Sequence, residues 1–425
     1  MNLFRLSVRN MTSRPLSTTL SLVLLTLGVG MIALLVQVDR HIQQQLQNNI
    51  GEIDMVVGAK GSPLQLILSA VYHIDKPTGN ISLQEAQKLK RNRLVEAGIP
   101  LSYGDSHQGF RIVGTDQQYP ELYKASVVKG ALWQKPFEVT LGATVAMKLG
   151  LDLGDTFTGS HGLVDGGDSH GEHPFEVVGI FGYTNSVLDQ LILTATESVW
   201  LVHHHEAEIT GIADAAEEPT QEEHAHEHED TGHVHAEGWE VPDEDQQITA
   251  MLVKFRGPMG MVQLPRLVNE RTNMQAAVPA FEISRLFSLM AVGVDMLSAI
   301  ARLIMMVAGL SVFISLYNAL RDRQYEMALM RTYGATRWQL VQLVVQEGLL
   351  LTLTGSLLGL LFSRIGLWLV SGLMEANYHY AFGGWVWAAE EGWLLATALA
   401  IGLLASLLPA IRVFRINISK TLADA

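Results

Sequence analysis

Residues Arg321 to Trp338 read RDRQYEMALMRTYGATRW and lie between two apolar runs, Leu297 to Leu320 before them and Leu340 to Leu361 after. Each run is long enough to cross a hydrocarbon core of about 30 Å as one helix. The stretch between them is therefore a hairpin on one face of a membrane. Its Arg321, Arg323, Arg331 and Arg337 place it on the cytoplasmic side, where basic residues collect.

The hairpin has a helical pattern of its own. If Tyr325 to Tyr333 is a helix, Tyr325, Ala328, Leu329, Thr332 and Tyr333 share one face, and Arg323, Met327, Met330 and Arg331 share the other. One face then serves the protein itself and one a partner. Gly334 is free to take the left-handed conformation that stops a helix. Thr336, with Gln339 three positions on, has capping-box spacing for the helix that follows.

Composition agrees with a membrane protein carrying a large soluble part. The 425 residues are 48% hydrophobic and 17% charged, and the apolar ones are concentrated in runs. The formal net charge of −14 gives no support to nucleic-acid binding. Ten of the 29 Lys and Arg flank the runs on one side: Arg5, Arg9 and Arg14 before the first, the four hairpin arginines, then Arg412, Arg415 and Lys420 after the last. The absence of cysteine excludes disulfides and thiolate metal sites without identifying the compartment.

Four spans follow from this pattern. After a cytoplasmic N-terminus (1–15), the first span is 16–36. A charged start and apolar middle also fit a cleavable signal peptide, but the run exceeds a usual h-region and Gln37-Val38-Asp39-Arg40-His41 offers no A-x-A-like cleavage site. Val38, Ile42, Leu46 and Ile50 recur every fourth position and carry the helix on as a stalk. The second span is 297–320, with Arg302 near its outer end as an interfacial anchor. The third is 340–361, where Gly355 and Gly359 form a G-x-x-x-G that fits a dimer seam. A short outer loop (374–391) has Glu375, Glu390 and Glu391 but no Lys or Arg. The fourth span is 393–411 and the cytoplasmic tail 412–425. The fold class is an α-helical membrane protein with four transmembrane helices and a large α+β extracytoplasmic domain inserted between the first and second spans.

That domain (37–290) alternates strand-like stretches, Phe110 to Val113, Phe175 to Ile180, Ile192 to Thr194 and Thr249 to Phe255, with short helices. Ser82 with Glu85, and Thr194 with Glu197, have capping-box spacing.

Eleven of the 15 histidines fall between His161 and His235. They include His203, His204, His205, His224, His226, His228, His233 and His235. From Glu206 to Asp245 there are 15 acidic residues and no Lys or Arg, so residues 203–245 are expected to form a disordered loop. Imidazole and carboxylate suit zinc, nickel or copper, and alternate spacing on a flexible chain brings several imidazoles to one ion. A solvated acidic insertion with bystander histidines fits the same composition. His161, His170 and His173 sit in a Gly- and Asp-rich hairpin tip, where they either add ligands or belong to a polar turn.

At Arg323, Glu326, Arg331, Gly334, Ala335 and Thr336 the chain resembles the FtsX/MacB family of ABC transporter permeases. That family's single cytoplasmic loop carries an arginine, a glutamate, an apolar helix and Leu-Arg-x-x-Gly-Ala-[Ser/Thr]; Met330 stands here for the leucine. Leu141 to Phe157, LGATVAMKLGLDLGDTF, followed by FEVVGIF at Phe175 to Phe181, resembles the periplasmic core domain of MacB-type permeases.

The resemblance implies a bacterial inner-membrane protein with both termini cytoplasmic and the large domain periplasmic. It implies a second permease chain, identical or related, and a cytoplasmic ABC ATPase docked on a coupling helix that includes Arg323, Glu326, Met327, Met330, Arg331, Gly334, Ala335 and Thr336. The chain has no G-x-x-x-x-G-K-[ST] phosphate loop, so ATP is expected to be hydrolysed by a separate subunit. No nucleophile, base and acid constellation is visible, so the chain reads as non-catalytic, with no bound cofactor beyond a divalent metal in the His-rich loop. The cargo is expected to be linked to zinc or a similar metal, handled directly or through a metal-loaded periplasmic partner. A lipoprotein, peptide or small molecule, or regulation of periplasmic cell-wall hydrolases, stands as the alternative.

Overall fold

The computed structural model describes residues 6–7, 9–10, 13, 15–160, 174–202, 246–378 and 389–413. The chain divides into two units, Met1–Gln43 with Ser288–Ala425, and Gln44–Phe287.

The first long helix, α1 (Pro15–Ile50), runs unbroken through the apolar segment and the polar residues after it. Strands β1 (Met55–Ala59), β2 (Ile81–Ser82), β3 (Val95–His107), β4 (Phe110–Thr115), β5 (Val127–Gly130), β6 (Glu138–Leu141), β7 (Thr156–Phe157), β8 (Phe175–Phe181), β9 (Leu191–Ala195), β10 (Gln247–Ile248), β11 (Ala250–Phe255) and β12 (Met274–Ala277) follow. Between them lie α2 (Pro63–Ala70), α3 (Leu83–Lys90), α4 (Ala143–Leu149), α5 (196–202) and α6 (Pro258–Arg271).

These strands make a mixed sheet in the order β12-β1-β11-β3-β4-β9-β6-β8-β5, with β7 on β8, and a separate β10–β2 pair. Pairing is antiparallel except for β4 with β9 and β6 with β8. Side chains alternate across a strand, so Val56 and Leu252 enter one core with Leu66, Ile67, Ile99 and Leu101. Their neighbours Met55, Val57, Met251 and Val253 enter a second core with Leu264 and Val268 of α6. Cover on both faces explains why β1 (MVVGA), β9 (LILTA) and β11 (AMLVKF) read as nearly continuous apolar runs. The last residues of α1 belong to this unit. Leu46 and Ile50 pack on the first core, and the Tyr72 and Tyr123 hydroxyls donate to the Leu46 and Asn49 carbonyls at 3.2 and 3.1 Å.

The expected strands are present, each longer by one or two residues except the last, which begins at Ala250. Both expected capping boxes of this unit fail. Ser82 precedes α3 without a side-chain hydrogen bond to it. Thr194 lies inside β9, and its hydroxyl is taken by the Glu138 carbonyl at 2.9 Å and the Ser198 hydroxyl at 2.8 Å.

The other unit contains most of α7 (Pro279–Asp322), then α8 (Gln324–Thr332), α9 (Arg337–Tyr378) and α10 (Ala389–Val413). With α1, three of these make four helices, among the described residues, that are long and apolar enough to cross a membrane. They exceed the apolar runs at their ends, because hydropathy marks only the length that needs apolar side chains. Thus α9 and α10 take residues from both ends of the loop expected at 374–391.

Arg302 is exposed and donates to the Ser298 carbonyl of its own helix at 3.1 Å. The glycine pair has a different partner from the one expected. A Cβ on Gly355 would lie 2.7 Å from Leu25 Cβ, and one on Gly359 would lie 3.0 Å from the Gly30 nitrogen and the Thr26 carbonyl. The G-x-x-x-G therefore seats α9 on α1 of the same chain, which corrects its reading as a seam between two chains.

Candidate functional site in the hairpin between α7 and α9

Helix α8 is nine residues long, too short to be stable alone in water, so its neighbours must hold it. Met327 is 4% exposed and packs with Leu320, Leu340, Val344 and Ala410, with Met330 against the same group. Ala328 is fully buried. Arg323 donates from Nη2 to the Asn10 carbonyl at 3.2 Å and to the Ser13 hydroxyl, and Ser13 in turn donates to the Asn10 carbonyl at 2.7 Å. Three residues of the expected coupling set, Arg323, Met327 and Met330, thus bind α8 to its own chain.

The end of α8 is closed by its backbone. The Ala335 N–H donates to the Met330 carbonyl at 3.0 Å and the Gly334 N–H to the Arg331 carbonyl at 3.1 Å, with Gly334 at φ +95°. That is the two-bond closure for which a glycine after the cap is suited. Thr336 and Gln339 then cap α9 reciprocally. Two closures within six residues fix the angle between the helices.

The side facing away from the chain carries Tyr325, Glu326, Leu329 and Tyr333, continued by Trp338 at the start of α9. Tyr333 is 84% exposed and Trp338 72%. Of the expected set, Glu326 and Thr336 are exposed, while Arg331 and Ala335 are half-buried. Trp338 and Tyr333 lie within the expected docking stretch Arg321 to Trp338 but outside the set of coupling residues expected in it. Their signal was two large aromatic side chains in a short polar turn, where no core requires them. The Arg323 tie to residues 10 and 13 had no local signal.

His203, His204, His205, His224, His226, His228, His233 and His235, with His161, His170 and His173, lie outside the described residues. Among the described residues no group of three His, Cys, Asp or Glu is placed to hold a metal ion.

A family model described as MacB-like periplasmic core domain matches residues 18–232, and one described as FtsX-like permease C-terminal matches residues 298–418. Among solved structures, the periplasmic region of MacB from Actinobacillus actinomycetemcomitans is 13% identical, covers 56% of this chain and 94% of its own, and has a TM-score of 0.33. The extracellular domain of the noncanonic ABC-type transporter YknZ from Gram-positive bacteria is 12% identical, with 52% and 98% coverage and a TM-score of 0.29. No curated protein matches the chain.

Proposed function

The chain belongs to the ABC transporter permeases that join a MacB-like periplasmic core domain to an FtsX-like permease domain, and from that premise we propose that it couples ATP hydrolysis by a separate cytoplasmic subunit to movement of its Gln44–Phe287 domain. The exposed Tyr325, Glu326, Leu329, Tyr333 and Trp338 dock the ATPase. Arg323, Met327 and Met330 hold the docking helix in place, and Gly334, Ala335 and Thr336 fix its angle to α9. The hairpin and both termini face the cytoplasm, the domain faces the periplasm of a bacterial inner membrane, and two permease chains pair with two ATPases.

The observation that carries this reading is a short helix closed at its end and anchored on one face, with aromatic side chains on the other. Aromatic residues on an exposed, rigid element have the chemistry of an interface anchor. Removing two of them, Tyr333→Ala with Trp338→Ala, is expected to abolish copurification of the ATPase while the chain keeps its unfolding temperature. Undiminished copurification would overturn the docking assignment.

The cargo we place with zinc or a similar divalent metal, handled directly or on a partner protein. Support comes from composition: eight histidines and 15 carboxylates within residues 203–245, with no competing cation from 206 to 245.

A further inference from the structure

At the ends of the spans remote from the hairpin, three helices of one unit meet on a single carboxylate. Glu391, in the first turn of α10, has a side chain only 2% exposed, and both its oxygens lie 2.8 Å from Nη2 of Arg364 on α9, itself 13% exposed. Gln37 of α1, also buried, donates from Nε2 to the same carboxylate and lies 3.5 Å from the Ser363 hydroxyl. One turn further along α1, Arg40 pairs with Glu390 at 2.9 Å, half in solvent.

A buried ion pair is weak evidence for stability, since apolar groups of similar volume often hold a fold as well. Its distinctive property is directional. Charge-assisted hydrogen bonds fix where the donor stands, which apolar contact does not. The contacts of α1 with α9 at Gly30, Gly355 and Gly359 allow close approach, and the polar bond among them, Thr26 Oγ1 to the Gly355 carbonyl, is long at 3.4 Å. The exposed Arg40–Glu390 pair contributes little by itself. Val29 and Ile32 of α1 pack with Leu394 and Ala398 of α10, and Leu34 lies against Gly366 of α9; to this packing Glu391 adds a buried polar tie that joins α1 to both α9 and α10.

The position of Gln37 gives this tie a consequence. Helix α1 continues unbroken to Ile50, and its residues from Gln44 onward belong to the mixed-sheet unit. Gln37 lies seven positions, or about 10 Å of helix, before that unit's first residue.

We infer that Arg364, Glu391 and Gln37 form the joint through which displacement of α9 and α10 is passed to α1 and along it. Arg364 and Glu391 act as positioning residues and Gln37 receives the displacement. This rests on the reading of the chain as an ATP-driven permease, which supplies the displacement.

The cysteine-free chain allows a direct test. Spin labels at Gln43→Cys on α1 and Leu369→Cys on α9, in full chains coexpressed with an excess of the cysteine-free chain so that each assembly holds one labelled pair, report the distance between the two helices in lipid nanodiscs with the copurified ATPase, its cysteines replaced, without nucleotide and trapped with ATP and vanadate. The otherwise unaltered chain is expected to give one narrow distance in both states, because α1 follows α9. Arg364→Met with Glu391→Leu is expected to lose that single peak in the trapped state while ATPase activity persists. Gln37→Leu, which leaves the ion pair intact, is expected to do the same, so poor folding of the double variant does not remove the test. A narrow, unchanged distance in Gln37→Leu or in a folded double variant would overturn the inference alone. Failure of the unaltered chain to retain any ATPase would overturn the coupling reading and this inference with it.

Discussion

Thr336 and Gln339 cap one another: the Thr336 N–H donates to Gln339 Oε1 at 2.8 Å, and the Gln339 N–H donates to Thr336 Oγ1 at 3.3 Å. Each side chain satisfies a backbone donor that the first turn of α9 leaves open. Loss of a cap of this kind costs about 1 kcal/mol. Thr336→Ala is therefore expected to raise amide hydrogen exchange in residues 324–340 roughly five-fold, since 1.4 kcal/mol is about ten-fold. Exchange at the unaltered rate would show that Met327 and Met330 packing, the Arg323 tie and the Gly334 closure hold the hairpin without this cap.

Two glycines are expected to resist substitution for different reasons. At Gly334 an added Cβ meets no atom within 4 Å, so Gly334→Ala is opposed only by the backbone angle of +95°, at a cost of about 1–2 kcal/mol. At Gly142 the backbone is ordinary, with φ −62°, but a Cβ would lie 2.3 Å from the Leu188 carbonyl oxygen. Gly142→Ala must displace that backbone and is expected to cost about 1–3 kcal/mol. Hydrogen exchange on the full chain separates the two. Gly334→Ala should loosen the hairpin alone, Gly142→Ala the Gln44–Phe287 unit alone, and loosening in the opposite unit would contradict either account.

Legibility of the fold follows the range of each interaction. Gly334 and the Thr336–Gln339 pair were readable because both ends of each bond lie within a few residues. Ser82 and Thr194 show the same spacing and do not cap, Thr194 because Glu138 and Ser198 take its hydroxyl. Gly355 and Gly359 signalled that a helix approaches, but small size does not say which helix. Met327 and Ala328 are 100° apart on α8, so periodicity drew a boundary between them although both are buried. The partners of Arg323 and Glu391 lie 310 and 354 residues away in the chain for Ser13 and Gln37, beyond any local pattern.

Metal binding by residues 203–245 has a separate readout. The full chain in detergent is expected to bind zinc at micromolar or lower concentration in a calorimetric titration. A chain lacking Glu206 to Asp245, with His203, His204 and His205 changed to alanine, should lose that binding. Because ligand imidazoles must be unprotonated, affinity should fall as pH drops below about 6.5. Equal weak binding by both chains would leave the segment a solvated insertion.

The buried His73 makes acid stability a test of the mixed-sheet unit. Its Nε2 lies 3.0 Å from the Tyr119 hydroxyl and its Nδ1 2.9 Å from the Tyr103 hydroxyl, which donates onward to the Ser69 carbonyl. Tyr103 has one hydrogen to give, so Nδ1 carries the imidazole proton and Nε2 accepts from Tyr119. Burial, with Arg111 nearby as the lesser cause, lowers the His73 pKa to about 3. The unfolded chain therefore takes up a proton near pH 6.5 that the folded unit refuses. His73 leaves stability intact above pH 6.5, and stability falls by about 1.4 kcal/mol per pH unit from there towards pH 3. Because His73 sits at φ +56°, asparagine, which tolerates that conformation, is the suitable replacement. His73→Asn is expected to be less stable at neutral pH but to have a pH slope flatter by one proton between pH 6.5 and 4.5, read by denaturant unfolding of the full chain in detergent. Parallel slopes would show that His73 is protonated in the folded unit and that the tyrosine network accommodates the charge.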